Sequence, residues 1–236
     1  MPAEIEEAGQ RARWDHVMDA GRRMEGALER LRRIPGVRSA SFSSHPLIAN
    51  AADITAARPA GTPAPAQGSA ESRQFILEHR AWRLVIDEQF LATMGIRLRS
   101  GRQLAPSDTE GGQLVAIVNE SLARQLFGTT EVLGRRMVLG LGANSPEIEL
   151  VGVSADARYT SLRQQAPPTF YVSYRQRSTW GSTFVVRTSL EPTAIAGQVR
   201  ATMRELDPAL PVSNLRTQQE QIRLSLQRER LFARLA

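Results

Sequence analysis

The fold is decided by three runs of residues: FLATMGIRLRSGR (Phe90–Arg102), VNESLARQLFG (Val118–Gly128) and EIELVGV (Glu147–Val153). The first contains an expected turn at Met94–Gly95, followed by a short apolar run that a glycine ends. The continuous apolar residues Val115–Val118 and the third run each predict a β-strand. The runs together therefore predict two strands with a helix between them.

The helix between these two strands is predicted to begin after Asn119 and to end at Gly128. Asn is favoured at this start because its side-chain oxygen accepts a hydrogen bond from an otherwise unpaired backbone N–H. A glycine can adopt the left-handed conformation that ends a helix. We expect Asn119→Asp to be nearly neutral, because a carboxylate also accepts the bond and suits the positive helix terminus. Four apolar side chains share one face of this helix: Leu122, Ala123, Leu126 and Phe127.

The order of these runs resembles the extracytoplasmic core domain of MacB-like permeases. Such permeases are the membrane subunits of a class of ABC transporters that includes FtsX-type proteins, and the chain looks closest to the orphan permeases of this group. The resemblance covers nearly the whole chain, because further matching pieces lie outside the three runs: Ile34–Leu47, Gly134–Arg136, Leu206–Val212 and Arg228–Arg230.

The predicted fold class is α+β, with a ferredoxin-like (porter-like) split βαβ lobe into which a second small α/β lobe is inserted. The chain begins with a helix and a strand and finishes with a strand, a helix and a strand, and two such halves can form one ferredoxin-like sheet. The predicted porter-like lobe comprises residues 1–77 and 167–216, and the inserted lobe comprises residues 78–166. Residues 217–236 are predicted to form a helix that leads toward a membrane span. The resemblance implies the same plan.

The porter-like lobe is predicted to start with a long helix. Apolar residues in steps of three and four over Trp14–Leu31 predict a helix at roughly residues 8–33. A strand is predicted at Val37–Ser43. Asn50–Ser72 is rich in Ala, Pro and Gly and lacks periodicity, which predicts a loop or linker outside the core. The resembled family usually has a strand before the first long helix, and no pattern before Arg11 predicts one.

The remaining elements follow from shorter patterns. A helix is predicted around Ile195–Leu206, with Pro192 near its start. Thr217 and Glu220 form a capping box that opens a last helix reaching Ala236. Further strands are predicted at Arg73–Leu77, Arg83–Ile86, Thr169–Tyr174, Thr183–Thr188 and Pro211–Leu215.

The charge of the chain is strongly basic, with a formal net charge of +6 and all 30 basic residues arginine. These arginines are interleaved with Asp and Glu, which favours an ordinary solvated surface over one for nucleic acid or anionic lipid. No apolar run approaches the roughly 18 residues of a membrane helix, and the N-terminus is acidic and polar, unlike a signal peptide. Because the resembled family spans the membrane, we expect this chain to be a piece of a larger permease.

Residue patterns for chemistry are weak throughout the sequence. The chain has no cysteine, and His16, His45 and His79 lie far apart without a metal-ligand spacing. Gly140–Gly142 contains only part of a dinucleotide fingerprint, and a hairpin turn explains it better. The carboxylate pair Asp87–Glu88 is interpreted as a solvated strand end. No catalytic, cofactor-binding or metal-binding residue is therefore predicted, and no cofactor.

The expected function is that of a non-catalytic periplasmic domain of an ABC-transporter permease. The resemblance implies three partners: the membrane-spanning remainder of the permease, a cytoplasmic ABC ATPase subunit, and a periplasmic adaptor or enzyme. It also implies a location at the periplasmic face of the bacterial inner membrane. Three alternatives stay open: a pure interaction module that recruits a periplasmic enzyme or adaptor, a basic nucleic-acid-binding protein, and an unrecognised enzyme. No nucleic-acid partner is expected.

We expect the chain not to bind or hydrolyse ATP. The sequence contains neither a phosphate-binding Gly-x-x-x-x-Gly-Lys run nor any Lys that could reach a phosphate. Calorimetric titration with Mg-ATP should give no saturable heat. A dissociation constant in the micromolar range would contradict this expectation.

Overall fold

A computed structural model describes residues 21–46, 48, 53–142, 145–158, 165–177, 183–206 and 212–235. The chain divides into two compact units. Unit 1 consists of Met1–Ala40 and Val186–Leu215, and unit 2 consists of Ser41–Val185 and Arg216–Ala236. The first part of the predicted helix at residues 8–33 lies outside the described residues.

Unit 1 is built mainly from two helices. Helix α1 is described at residues 21–32, and α5 spans Ala196–Leu206. The strands β1 (Val37–Ser43) and β9 (Thr183–Thr188) belong to unit 1 only in part, with residues 37–40 of β1 and residues 186–188 of β9. The apolar stripe predicted for α1 is confirmed in its described part, where the predicted members Met24, Leu28 and Leu31 are buried and Ala27 is buried beside them.

Unit 2 contains a closed, barrel-like sheet of six strands. The strand order is β2–β6–β7–β5–β8–β3, and β2 also pairs with β3, which closes the ring. The β3–β8 and β5–β7 pairs are parallel, and the other four pairs of the ring are antiparallel. The ring strands are β2 (Asp53–Pro59), β3 (Arg80–Ile86), β5 (Val115–Asn119), β6 (Arg136–Leu139), β7 (Glu147–Ser154) and β8 (Thr169–Ser173).

The other elements of unit 2 attach to this ring. Strand β4 (Leu98–Gly101) pairs with the second half of β7. The helices of unit 2 are α2 (Ala70–Glu78), α3 (Phe90–Met94), α4 (Glu120–Phe127) and α6 (Gln218–Leu235).

An apolar core lies between one face of the sheet and α3. Full burial of each such side chain contributes about 1.5–3 kcal/mol relative to exposure, so this cluster stabilises the ring substantially. Phe90 of α3 packs on Tyr171 of β8, with ring centroids 6.3 Å apart. The buried members of the cluster are Leu84, Ile86, Phe90, Leu91, Leu104, Val115, Ile117 and Tyr171.

Most of the predicted elements are confirmed. The strands predicted at Val115–Val118 and Glu147–Val153 are β5 and β7, and the helix between Asn119 and Gly128 is α4. Thr217 caps the start of α6 as expected, since its hydroxyl accepts a hydrogen bond from the Glu220 N–H. The predicted strands at β1, β3, β8 and β9 and the predicted helix α5 are also present.

The predicted loop at Asn50–Ser72 is wrong for residues 53–59 and for residues 70–72, which begin α2. Asp53–Pro59 forms β2, which closes the ring, and Ala56 and Ala57 are 2% and 0% exposed. Alanine is depleted in strands, so the sequence does not resemble one, but its small side chain fits a crowded interior. The glycine- and proline-containing residues 62–69 have no regular structure, as expected.

Two further strand predictions are wrong. Arg73–Leu77 lies in α2, because the Ser69 hydroxyl accepts a hydrogen bond from the Ser72 N–H and starts a helix. In the predicted strand Pro211–Leu215, residues 212–215 have no strand pairing. Asn214 there has a φ of 58°, a left-handed conformation that interrupts an extended chain.

The chain is a mixed α and β protein, as the predicted fold class states in general terms. The closed sheet joins strands from both sides of the predicted boundaries at residues 77/78 and 166/167. The ferredoxin-like lobe and the inserted lobe therefore stay predictions.

We predict that Gly101→Ala lowers the free energy of unfolding far more than Gly111→Ala. Both glycines have a left-handed φ, +77° and +83°, which costs an L-residue about 1–2 kcal/mol. At Gly101 an added Cβ would also lie 2.2 Å from the Val151 carbonyl oxygen, whereas at Gly111 it meets nothing within 4 Å. Overpacking of this kind costs about 1–3 kcal/mol more. Urea unfolding measures both variants, and equal midpoints would contradict the close approach of β4 to β7.

Candidate functional site

Asn119 lies at the centre of the segment that carries the family resemblance. Its side chain is fully buried, and Oδ1 accepts hydrogen bonds from the N–H groups of Leu122 and Thr169, both at 2.9 Å. Its Nδ2 donates to the Pro167 carbonyl oxygen at 2.9 Å. The predicted helix cap is confirmed, and the same side chain also ties the start of β8 to the end of β5.

A second polar connection holds the chain between β4 and β5. The Arg102 guanidinium binds both carboxylate oxygens of Asp108, at 2.8 and 2.9 Å, and the Ala105 N–H donates to the same carboxylate at 2.8 Å. Burial raises the pKa of Asp108, but these hydrogen bonds outweigh it and hold that pKa below its usual range. Because the folded-state pKa is lowered, the stability that this carboxylate contributes is present at neutral pH and is lost as the pH falls through that pKa.

Gln176 connects the end of β8 to the start of β5. Its Oε1 accepts a hydrogen bond from the Val115 N–H at 3.1 Å, and its Nε2 donates to the Gln113 carbonyl oxygen at 2.7 Å. The side chain is buried, and both ends of its amide are therefore satisfied. Sequence patterns did not identify this residue, because nothing local distinguishes a buried amide from an exposed one.

The two described histidine side chains take part in structural contacts. His45 lies 3.0 Å from the Ser44 hydroxyl, and His79 stacks on Phe75 with ring centroids 3.9 Å apart. His16 lies outside the described residues. Within the described ranges, no group of three or more His, Asp or Glu residues could hold a metal ion.

The carboxylates at the end of β3 differ from the sequence interpretation. Asp87 is 1% exposed, so its interpretation as a solvated strand end is wrong. Its Oδ1 accepts hydrogen bonds from the Ser41 hydroxyl and, at 3.1 Å, from the Phe42 N–H, which compensates for its burial. Glu88 forms an ion pair with Arg175 at 2.7 Å. Both carboxylates therefore join parts of unit 2 to each other.

The start of α6 is fixed to the rest of unit 2. The Thr217 hydroxyl accepts a hydrogen bond from the Glu220 N–H at 3.1 Å. Gln221 accepts a bond from Arg216 at 3.1 Å, and its Nε2 donates to the Ile48 carbonyl oxygen at 3.4 Å. Residues 218–227 include no fully buried side chain. In the part of the chain that the structure describes, no helix has the length and apolarity needed to cross a membrane.

A family model described as the MacB-like periplasmic core domain matches residues 17–206. The chain belongs to this family. The resemblance inferred from the three runs is therefore confirmed, and the MacB-like chain is a periplasmic domain of an ABC-transporter permease.

Solved structures resemble the fold of this MacB-like domain at low sequence identity. The periplasmic region of MacB from Actinobacillus actinomycetemcomitans is 16% identical over 76% of this chain and 72% of that chain, with a TM-score of 0.51. The extracellular domain of the noncanonical ABC-type transporter YknZ from Gram-positive bacteria is 18% identical over 79% and 81%, with a TM-score of 0.48. A permease domain from Porphyromonas gingivalis is 17% identical over 76% and 67%, with a TM-score of 0.47. No curated protein matches the sequence.

We predict that Asn119→Ala lowers the free energy of unfolding by about 2–4 kcal/mol. Loss of a helix cap costs about 1 kcal/mol, and a buried group left without a partner costs about 1–3 kcal/mol. The group left without a partner is the Thr169 N–H, since the Pro167 carbonyl keeps the hydrogen bond from the Thr169 hydroxyl at 2.8 Å. Urea unfolding measures the loss, and a change below that of an ordinary exposed cap would contradict the role in joining β5 to β8.

The expectation that Asn119→Asp is nearly neutral no longer holds. A carboxylate oxygen in place of Nδ2 would face the Pro167 carbonyl oxygen without a hydrogen between them. Burial would raise the folded-state pKa of the new Asp, so the variant should be destabilised at neutral pH and should recover as the pH falls and the acid becomes a donor. The wild type over the same pH range is the control. If the Asp variant and the wild type were equally stable at neutral pH, Asn119 would act only as a helix cap.

Proposed function

We propose that this MacB-like domain is a non-catalytic coupling element of its permease. ATP hydrolysis in a separate cytoplasmic subunit would move the membrane helices, and the domain would pass that motion to an exported substrate or to a periplasmic partner. The observation that carries this proposal is α6. Near its start Gln221 binds the Ile48 carbonyl oxygen, and no side chain of residues 218–227 is fully buried.

A stiff connection is what such coupling requires. A continuous helix transmits displacement along its axis, because each turn is held by backbone hydrogen bonds, whereas a flexible joint absorbs the displacement. The closed ring of β2, β6, β7, β5, β8 and β3 gives α6 a firm body to act on, since every ring strand is paired on both sides. Movement of the helix would therefore move unit 2 as one object.

The absence of catalysis is part of the proposal. The carboxylates that sequence and structure single out, Asp87, Glu88 and Asp108, are each engaged by hydrogen-bond donors within unit 2. Such groups hold the chain together and are not poised toward an open cleft. In the same way, we infer that unit 1 corresponds to the ferredoxin-like, porter-like lobe, supported by its order of helix, strand, strand and helix.

A second candidate function is recruitment of a periplasmic enzyme or adaptor without force transmission. The observation that favours it is the apolar surface of α2, where Ile76 and Leu77 are 37% and 60% exposed. Removal of residues 78–166 would not test recruitment cleanly, since it removes β3, β5, β6 and β7 from the ring. Leu77→Gln, which keeps the fold, should reduce recruitment and leave ATPase activity unchanged.

Insertion of Gly-Gly after Gln227 of the intact permease tests the coupling role. Each Gly costs about 1 kcal/mol of helix stability relative to Ala, so the domain should stay folded while α6 becomes flexible at that point. We expect ATPase activity to persist and transport or partner activation to fall sharply.

Insertion of Ala-Ala at the same place is the matched control, because it adds the same length and rotation but keeps the helix stiff. Equal losses of transport in both variants would show that the added length and rotation, and not flexibility, cause the loss. Wild-type transport in the Gly-Gly variant would show that force does not pass through α6.

A further inference from the structure

A groove in unit 1 lies between the end of α1 and the outer face of α5. It is shallow and open to solvent, with a volume of about 530 Å³. The groove is lined on the α1 side by Arg30, Arg33 and Ile34 and on the α5 side by Gln198, Ala201 and Glu205. All of its lining residues belong to unit 1, whereas α6 belongs to unit 2.

The two helices that form this groove carry most of the excess charge of the chain. Residues 21–33 contain five arginines and two glutamates, and α5 contains two arginines and one glutamate. Their formal charge is therefore +4, compared with +6 for all 236 residues. A concentration of like charge on one surface attracts an oppositely charged partner and speeds its association.

The arginines of the groove are available to such a partner. Arg30 is exposed, and its side chain has no ion-pair or hydrogen-bond partner among the described residues. Arg33 pairs with Glu29 at 2.6 Å, but the two side chains are 74% and 66% exposed, and exposed pairs contribute little stability. A carboxylate from outside could therefore replace Glu29 at small cost.

An apolar contact point adjoins the groove. Leu190 is 50% exposed and packs against Gly36, the neighbour of the groove residue Pro35. The contact is close: a Cβ added at Gly36 would lie 2.5 Å from a Leu190 methyl carbon. An exposed leucine beside exposed arginines suits a partner that has both carboxylates and an apolar side chain.

We propose that the α1–α5 groove docks an acidic segment of a partner protein that carries at least one apolar side chain. A protein segment fits better than a polyanion or an anionic bilayer, because Glu29 and Glu205 stand among the arginines and would repel a continuous array of phosphates. The proposal does not depend on coupling through α6.

The test uses the whole chain and a short fluorescein-labelled peptide in which glutamates alternate with serines around one leucine. The same peptide with glutamine in place of glutamate is its control. Ala201→Trp should fill the groove without changing any charge, and we expect it to weaken binding about tenfold, equivalent to about 1.4 kcal/mol. Ala194→Trp is the matched control, because Ala194 is exposed on the same unit but does not line the groove.

Arg30→Glu should weaken peptide binding at least as much, and its control is Arg73→Glu on unit 2, where the side chain is also exposed. Arg30 and Arg73 both lie exposed on helices, so both variants should fold. Equal losses in the two charge variants, or no loss in Ala201→Trp, would show diffuse charge attraction and overturn the proposal. Absence of peptide binding would also overturn it.

A final experiment distinguishes a protein partner from a membrane. Vesicles of phosphatidylglycerol and phosphatidylethanolamine replace the peptide in a sedimentation assay with the same variants. We expect weak vesicle binding that Ala201→Trp leaves unchanged. Strong vesicle binding that is lost in Ala201→Trp would assign the groove to lipid headgroups and overturn the protein partner.

Discussion

The pairing of β2 with β3 is the constraint on which unit 2 depends. Four residue pairs, from Asp53 with Arg83 to Ala56 with Arg80, turn an open sheet with two edges into a ring. An open sheet would leave rows of N–H and C=O groups at β2 and at β3 that must find water or another chain. Closure satisfies both rows at once and holds the sheet face against which α3 packs its core.

Buried polar side chains join the segments that the ring alone would leave loose. Asn119, Gln176 and Asp87 each bind backbone groups from a distant part of the chain, so each fixes a position that apolar contacts would not specify. Arg58 is an exception to full satisfaction. It is 7% exposed, its contact with the Gly142 carbonyl oxygen is long at 3.4 Å, and its Nε has no hydrogen-bond partner within the described residues.

The sequence correctly predicted the features that depend on residues close together in the chain. The start of α4 at Asn119, its end at Gly128 and the start of α6 at Thr217 all rest on hydrogen bonds or backbone conformations within a few residues, and all are present. Strand β2 was missed because Ala56 and Ala57 carry no apolar periodicity, and their burial depends on partners far along the chain. The burial of Asp87, the bond from Gln176 and the closure of the ring were missed for the same reason. The family resemblance supplied a function where no side-chain pattern indicated one.

Strand β8 is the last strand of the ring in chain order. It lies between β5 and β3 in the ring, yet Thr169–Ser173 follows Asn119 by about fifty residues of chain. As the domain emerges from a membrane channel, the other ring strands can already pair among themselves, but β3 and β5 each lack one partner until β8 arrives. Such non-local pairing gives a high contact order and slow folding, with strand edges exposed meanwhile. A periplasmic chaperone that shields those edges would be of most use to this domain before residue 173 has left the channel.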